Sequence, residues 1–149
     1  MEIAFAGGRL VSFKPIMTSM KIMKKEELDY KQLTSDKSNE RYSLSAVISE
    51  GLGSKDIFIH QEILRPGRRA SAPHFHRESE EFIYVLEGDV VAWEAGEEID
   101  LSTGDTLFFE PNSGKLHYLE NRSEEEVVLL VIKKKLPVSD VVYTGLKVL

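Results

Sequence analysis

The amino-acid sequence predicts an all-β domain, built as an antiparallel sandwich or barrel. Three observations lead to this prediction. About nine short runs rich in β-branched and aromatic residues recur at intervals of about 8–15 residues from position 42 onward. Gly, Asn, Asp and Ser cluster between these runs, as they do in turns. Almost no segment shows the apolar spacing of an amphipathic helix, so an all-β architecture is favoured over an α/β fold.

The N-terminal part of the chain differs from the rest. Residues 1–40 are expected to form a partly flexible lead-in, and residues 41–149 are expected to form the β-barrel domain. Glu26–Leu33 is interpreted as a short helix, while Ser35–Glu40 is polar and typical of a loop. The first 25 residues lack the apolar block of a signal peptide, so we expect a leader without function. The true start of translation would then be Met17, Met20 or Met23.

The predicted strands share an apolar or alternating pattern and are bounded by turn residues such as those of Asn112-Ser113-Gly114. They are Ser43–Ser49, Ile57–Leu64, Ala72–His76, Glu81–Glu87, Val90–Glu94, Glu98–Leu101, Thr106–Glu110, Leu116–Glu120 and Val127–Lys133.

Charge and composition exclude several classes of protein. The 19 Lys and Arg residues against 25 Asp and Glu residues give a net charge of −6, which argues against nucleic acid or an anionic membrane as a partner. No apolar run approaches the roughly 18 residues of a membrane span, and we expect a cytoplasmic protein. The chain has no cysteine, so any metal site must use His, Asp or Glu.

The positions of the histidines predict such a site. His74 and His76 are two residues apart on a predicted strand, so their side chains share one face. Glu81 has the opposite parity and joins that face only if Arg77–Ser79 forms a bend; Glu81, Ile83 and Val85 would then point inward. His117 lies on a later strand, which two hairpins would return to the first.

Two blocks of the sequence contain these residues at characteristic spacings. In the first, Gly67 is followed by six residues, His74-x-His76, four residues, Glu81, six residues and Gly88. In the second, Gly104 is followed by six residues, Pro111, two residues, Gly114, two residues, His117, three residues and Asn121. The blocks resemble the paired motifs of the cupin superfamily, G-x(5)-H-x-H-x(3,4)-E-x(6)-G and G-x(5)-P-x-G-x(2)-H-x(3)-N. Three spacings depart by one residue, all in predicted loops or turns.

The resemblance implies a jelly-roll barrel of the double-stranded β-helix type. His74, His76, Glu81 and His117 would bind the metal, and Asn121 would close the end of its strand. Gly88 and Gly104 would serve turns, while Pro111 and Gly114 would set up the loop before His117. The run E-E-F-x-Y-V-L-E-G, in and just after Ser79–Glu87, is similar to that of small single-domain bacterial cupins of undefined activity. A homodimer is implied as well.

Three imidazoles and a carboxylate suit one divalent transition metal ion per chain, whether Fe, Mn, Zn, Ni, Co or Cu. Glu81 is also a candidate proton acceptor. We expect a metal-dependent enzyme, a dioxygenase or an isomerase or lyase, acting on a small oxygenated metabolite. The alternative is a non-catalytic module that binds or senses a sugar or metabolite. It is favoured by the expectation that no spare His or Tyr faces inward beside the ligands.

Other residues have weaker interpretations. His60 is expected to form an ordinary hydrogen bond and not to bind metal. Arg65, Arg68 and Arg69 are interpreted as a solvated loop, although they could reach the barrel mouth and bind an anion. Aromatic residues such as Phe82 and Phe108 are expected in the core or at a dimer face.

Overall fold

The computed structural model describes residues 18–143 and the backbone of two short paired strands, β1 (Phe5–Ala6) and β2 (Arg9–Leu10). A single 3-10 turn at Lys25–Glu27 precedes the main body of strands. These are β3 (Lys31–Thr34), β4 (Arg41–Val47), β5 (Ile57–Leu64), β6 (His74–His76), β7 (Glu81–Glu87), β8 (Asp89–Glu94), β9 (Glu97–Ser102), β10 (Thr106–Phe109), β11 (His117–Glu120), β12 (Val127–Lys134) and β13 (Val141–Tyr143).

Two antiparallel sheets form the domain. The first has the order β10-β7-β12-β5-β4-β3, and the second has the order β13-β6-β11-β8-β9. Neighbours in each sheet are often distant in sequence, as in a jelly roll, and the apolar faces of the two sheets pack together. The all-β prediction and the double-stranded β-helix are confirmed. No helix within residues 18–143 is long and apolar enough to cross a membrane.

Each of the nine predicted strands is present, with ends within two residues of the predicted ones. The short helix predicted for Glu26–Leu33 is wrong. Its first part is the 3-10 turn, and its second part is β3, where Lys31 lies opposite Ser45 of β4. Pairing with a preformed strand overrides the weak local preference there. The leader, including a start at Met17, lies outside the residues described in full.

Strand β7 shows how the sequence positions the core. Glu81, Ile83 and Val85 are buried while the residues between them are exposed, as the alternation predicted. The apolar members of the inward face belong to one cluster between the sheets. That cluster comprises Leu64, Ile83, Val85, Val90, Ala92, Leu101, Phe109, Leu119, Val127, Leu129 and Val131.

The turn after β7 depends on a glycine. Gly88 has a φ of 90°, and a Cβ there would lie 3.0 Å from both Glu126 O and Val127 Cγ2. We expect Gly88→Ala to lower the free energy of unfolding by about 1–3 kcal/mol, from backbone strain and crowding together. Urea denaturation measures this. Gly96→Ala is the matched control, because Gly96 has a φ of 96° with no atom within 4 Å. Equal losses in both variants would show that the crowding contributes nothing.

Candidate metal centre

Both sheets contribute to one cluster of polar side chains. His74 and His76 lie on β6, and His117 begins β11, directly opposite His74 in the antiparallel pairing. Glu81 begins β7 in the other sheet, opposite Phe109 of β10. The face-to-face packing of the sheets therefore brings together all four predicted ligands, and all four are buried.

The bend required between His76 and Glu81 is stabilised by a residue that the sequence analysis missed. Asp140 Oδ2 accepts hydrogen bonds from the backbone N–H groups of Glu78 (2.9 Å) and Ser79 (2.7 Å). Asp140 Oδ1 lies 3.0 Å from His76 Nδ1. One carboxylate thus fixes both the bend and the orientation of the His76 ring. No motif marks this aspartate, because it is 64 residues from His76 in sequence.

The ligand atoms lie close enough to share one ion. One atom from each of the four side chains can be chosen so that all lie within 4.8 Å of one another. His76 Nε2 is 3.0 Å from Glu81 Oε2, and His117 Nε2 is 3.8 Å from Glu81 Oε1. Metal–nitrogen bonds are about 2.0–2.1 Å long, so small side-chain adjustments bring four such atoms onto one ion.

The hydrogen bonds of the histidines fit a metal. The Nδ1 atoms of His74 and His76 have hydrogen-bond partners outside the cluster. His74 Nδ1 lies 2.8 Å from Ala72 O, and His76 Nδ1 lies against Asp140. This is the usual support for a metal-bound imidazole. His76 Nε2 contacts Glu81 Oε2 but makes no hydrogen bond of acceptable geometry, and both ring nitrogens of His117 are buried without a hydrogen-bond partner. Native proteins rarely leave such atoms unpaired, and this donor set could hold a metal ion.

Burial and neighbouring charges shift the pKa values of the clustered side chains. Burial and the nearby His74 together lower the pKa of His117 to about 4, so this imidazole is neutral at pH 7. Burial also lowers the pKa of His74. Burial opposes ionisation of Glu81, but the hydrogen bond to His76 and the nearby positive charges together outweigh it and lower the pKa of Glu81 to about 2. Burial likewise opposes the protonation of His76, whose pKa is nevertheless raised by Glu81 and Asp140.

We expect Asp140→Asn to weaken binding of a divalent metal about 10–100-fold, because the His76 ring loses its charged support. Competition titration with a chromophoric chelator measures the affinity. Asp100→Asn, at an exposed position of β9, is the matched control and should bind metal normally. A folded Asp140→Asn protein with unchanged affinity would contradict the support role.

The cluster opens into a cavity of about 310 Å³ between the sheets, which is within the size range of small-molecule sites. Lys133 is the one lysine or arginine among the described lining residues, and it lies opposite Glu81 on the neighbouring strand. The three arginines interpreted as a solvated loop do not line the cavity. Arg65 and Arg68 are exposed, and Arg69 forms a bidentate pair with Glu40 at 2.9 and 2.6 Å.

Two residues outside the motifs add a histidine and a tyrosine to the cavity lining. The expectation that no spare His or Tyr faces inward concerned the two motif blocks, and His60 and Tyr143, which lie outside these blocks, both line the cavity. Tyr143 pairs with His74 across β13 and β6. His60 is confirmed as a hydrogen-bonding residue, since its Nε2 lies 2.9 Å from Glu62 Oε1. Its alternation with Glu62 and Leu64 along β5 could have predicted the inward position.

Comparison with known proteins agrees with this architecture. Residues 60–133 match the family described as Cupin domain. A sugar phosphate isomerase of the cupin superfamily from Silicibacter pomeroyi is 20% identical, with a TM-score of 0.75 over 85% of this chain and 83% of that one. The polyketide cyclase RemF from Streptomyces resistomycificus is 21% identical, with a TM-score of 0.70 over 86% and 87%.

A protein described as a predicted oxalate decarboxylase from Thermotoga maritima is 20% identical, with a TM-score of 0.64 over 78% of this chain and all (100%) of that one. No match was found among curated proteins. At these identities the structural likeness establishes the fold. Together with the family match, it identifies the chain as a small cupin-domain protein.

Proposed function

We propose that this protein is a metal-dependent enzyme acting on a small oxygenated metabolite in the cavity between the sheets. The observation that carries the proposal is the buried cluster of His74, His76, Glu81 and His117, with unpaired inner nitrogens, at the wall of the cavity. A divalent ion held there would supply Lewis-acid activation of a carbonyl, or of water at neutral pH.

The structural neighbours support an enzyme. Their names describe an isomerase, a cyclase and a predicted decarboxylase on the same fold. A shared fold hosts many activities, so the neighbours alone do not select a reaction. Glu81 is proposed as a metal ligand, and its role as a proton acceptor stays a prediction. The metal identity among Fe, Mn, Zn, Ni, Co and Cu is equally open to measurement.

The test begins with elemental analysis of untagged protein, together with a screen for oxygen uptake. Near-stoichiometric iron with oxygen uptake would select dioxygenase chemistry, and zinc without oxygen uptake would select an isomerase or lyase. Turnover of a small carbonyl or hydroxy acid that is lost in His76→Ala would support the enzyme. Substoichiometric metal, with ligand binding and activity unchanged in His76→Ala, would overturn the proposal. A bound metabolite without turnover would support the alternative function, a non-catalytic module that binds or senses that metabolite.

We further propose a homodimer that covers the outer face of β7 and β10. Phe82, Tyr84 and Phe108 are 44%, 40% and 40% exposed there, and the Phe82 and Phe108 rings lie 4.7 Å apart. Strand β10 is also an unpaired sheet edge. Light scattering tests this: a dimer that Phe82→Glu converts to a monomer is expected, and a native monomer contradicts it.

A cytoplasmic location, without nucleic acid or membrane as partner, is proposed from the composition.

A further inference from the structure

A second polar pair faces the cavity, on the wall away from the metal centre. His60 and Glu62 lie two residues apart on β5, with exposed fractions of 8% and 7%. His60 Nε2 is 2.9 Å from Glu62 Oε1. His60 Nδ1 and Glu62 Oε2 are both buried without a hydrogen-bond partner. A pair serving only packing would satisfy these atoms, because unpaired buried polar atoms cost free energy.

The sheet register fixes the position of this pair relative to the metal ligands. His60 lies opposite Val131 on β12, and Val131 lies opposite Ile83 on β7. Strands are about 4.8 Å apart, so the backbones of His60 and Ile83 are separated by about 10 Å, with Glu81 two residues further along β7. All three strands point side chains into the same cavity. A small molecule bound at the metal centre would therefore extend toward His60.

We propose that His60 and Glu62 form a proton-transfer dyad that acts on a carbonyl compound bound in the cavity, which rests on the function proposed above. In the tautomer with hydrogen on Nε2, the imidazole donates to Glu62 and its Nδ1 becomes a free acceptor. A carboxylate that orients an imidazole in this way is a recurring arrangement for general bases.

The step conserves atoms and electrons. His60 Nδ1 takes a proton from a carbon next to the carbonyl, and the C–H electron pair moves through the new C=C bond to the carbonyl oxygen. Lys133, between the dyad and Glu81 in the sheet, supplies a positive charge near that oxygen. Return of the proton to the original carbon gives exchange with solvent. Where the substrate carries a hydroxyl on that carbon, the proton can instead return to the former carbonyl carbon while the hydroxyl proton moves to the enolate oxygen, which gives the isomeric hydroxy-carbonyl compound. No oxidant or co-reactant is needed, so the dyad selects isomerase or lyase chemistry over oxygenation.

The first experiment measures hydrogen exchange in the zinc-loaded full chain. Pyruvate and dihydroxyacetone are incubated with protein in D₂O, and deuterium incorporation is followed by NMR. The native protein is expected to exchange carbon-bound hydrogen of at least one probe. His60→Asn and Glu62→Gln should each slow exchange by about 10²–10⁴-fold with unchanged zinc affinity. Gln61→Ala, whose side chain lies on the other face of β5 against Tyr30, is the matched control and should exchange normally.

The outcomes separate the two proposals. If the native protein fails to bind metal, or if His117→Ala exchanges at the native rate, the proposed metal-dependent function fails. If the native protein binds zinc but exchanges neither probe, or if His60→Asn exchanges at the native rate, the dyad is overturned.

A second experiment needs no substrate. We expect the double variant His60→Leu/Glu62→Met to raise Tm by about 2–4 °C, since an incompletely paired buried polar pair is held at a cost in stability. Differential scanning calorimetry measures this on metal-free protein. A fall in Tm would show that the pair is a structural element and would overturn the dyad.

Discussion

His117→Ala is expected to abolish stoichiometric metal binding. His117 begins the strand that pairs with β6, its Nε2 lies 3.8 Å from Glu81 Oε1, and neither ring nitrogen has a hydrogen-bond partner. Its ring also packs face to face on Phe109, with centroids 3.6 Å apart. Loss of a ligand removes more than a supporting hydrogen bond does, so the affinity should fall by well over about 100-fold. Isothermal titration with Zn²⁺ or Mn²⁺, and elemental analysis of the isolated protein, measure the loss.

Two further variants make this result interpretable. His117→Gln keeps most of the side-chain volume against Phe109, so it separates loss of a ligand from loss of packing; it should also fail to bind metal. His60→Asn should bind metal normally, because His60 is the histidine outside the cluster. Native-like affinity in a folded His117→Gln protein would contradict the ligand assignment.

Asn121→Ala is expected to destabilise the fold more than any surface substitution. Asn121 is fully buried, and its Nδ2 donates to Leu64 O (2.8 Å) and Glu125 O (2.7 Å). Its Oδ1 accepts from the backbone N–H of Ser123 at 2.9 Å. The variant leaves two carbonyl groups without their donor, at about 1–3 kcal/mol each. The free energy of unfolding should fall by about 2–5 kcal/mol, as measured by urea denaturation.

Asn121→Asp sharpens this experiment because it keeps the shape and the acceptor for Ser123 but removes both donors. It should lose at least as much stability as the alanine variant. Ser102→Ala, at an exposed position of β9, should change the free energy of unfolding by less than about 0.5 kcal/mol. If both Asn121 variants unfold like the native protein, the side chain does not secure the end of β11.

The sequence predicts those features of the fold that depend on residues close together in the chain. The nine strands were predictable because alternation and turn residues are local properties of the sequence. The four clustered residues were predictable because strand parity places His74 and His76 on one face, and the spacing of the two motifs adds Glu81 and His117. Strand β13 was not predicted, since Val141–Tyr143 is short and is held by its distant partner β6. Asp140 gave no signal for the same reason.

One wrong prediction and one missed feature have separate physical causes. The segment around Lys31 was interpreted as helical because its pattern is weak, and pairing with β4 decided its conformation. The inward position of His60 follows from alternation with Leu64, but its unpaired Nδ1 depends on what surrounds it in three dimensions. Sequence patterns thus predict which face of a strand a side chain lies on. Whether that side chain finds a hydrogen-bond partner can be determined only from the structure.

The division of the metal ligands between the sheets links metal binding to folding. Three candidate ligands come from one sheet and Glu81 comes from the other, so a bound ion would connect the two sheets. A ligand that binds only the folded state at 100 times its Kd adds about 2.7 kcal/mol of stability. The linkage is reciprocal, so a core substitution that alters the spacing of the layers should weaken metal binding from a distance. Metal affinity would then report on how well the layers are packed.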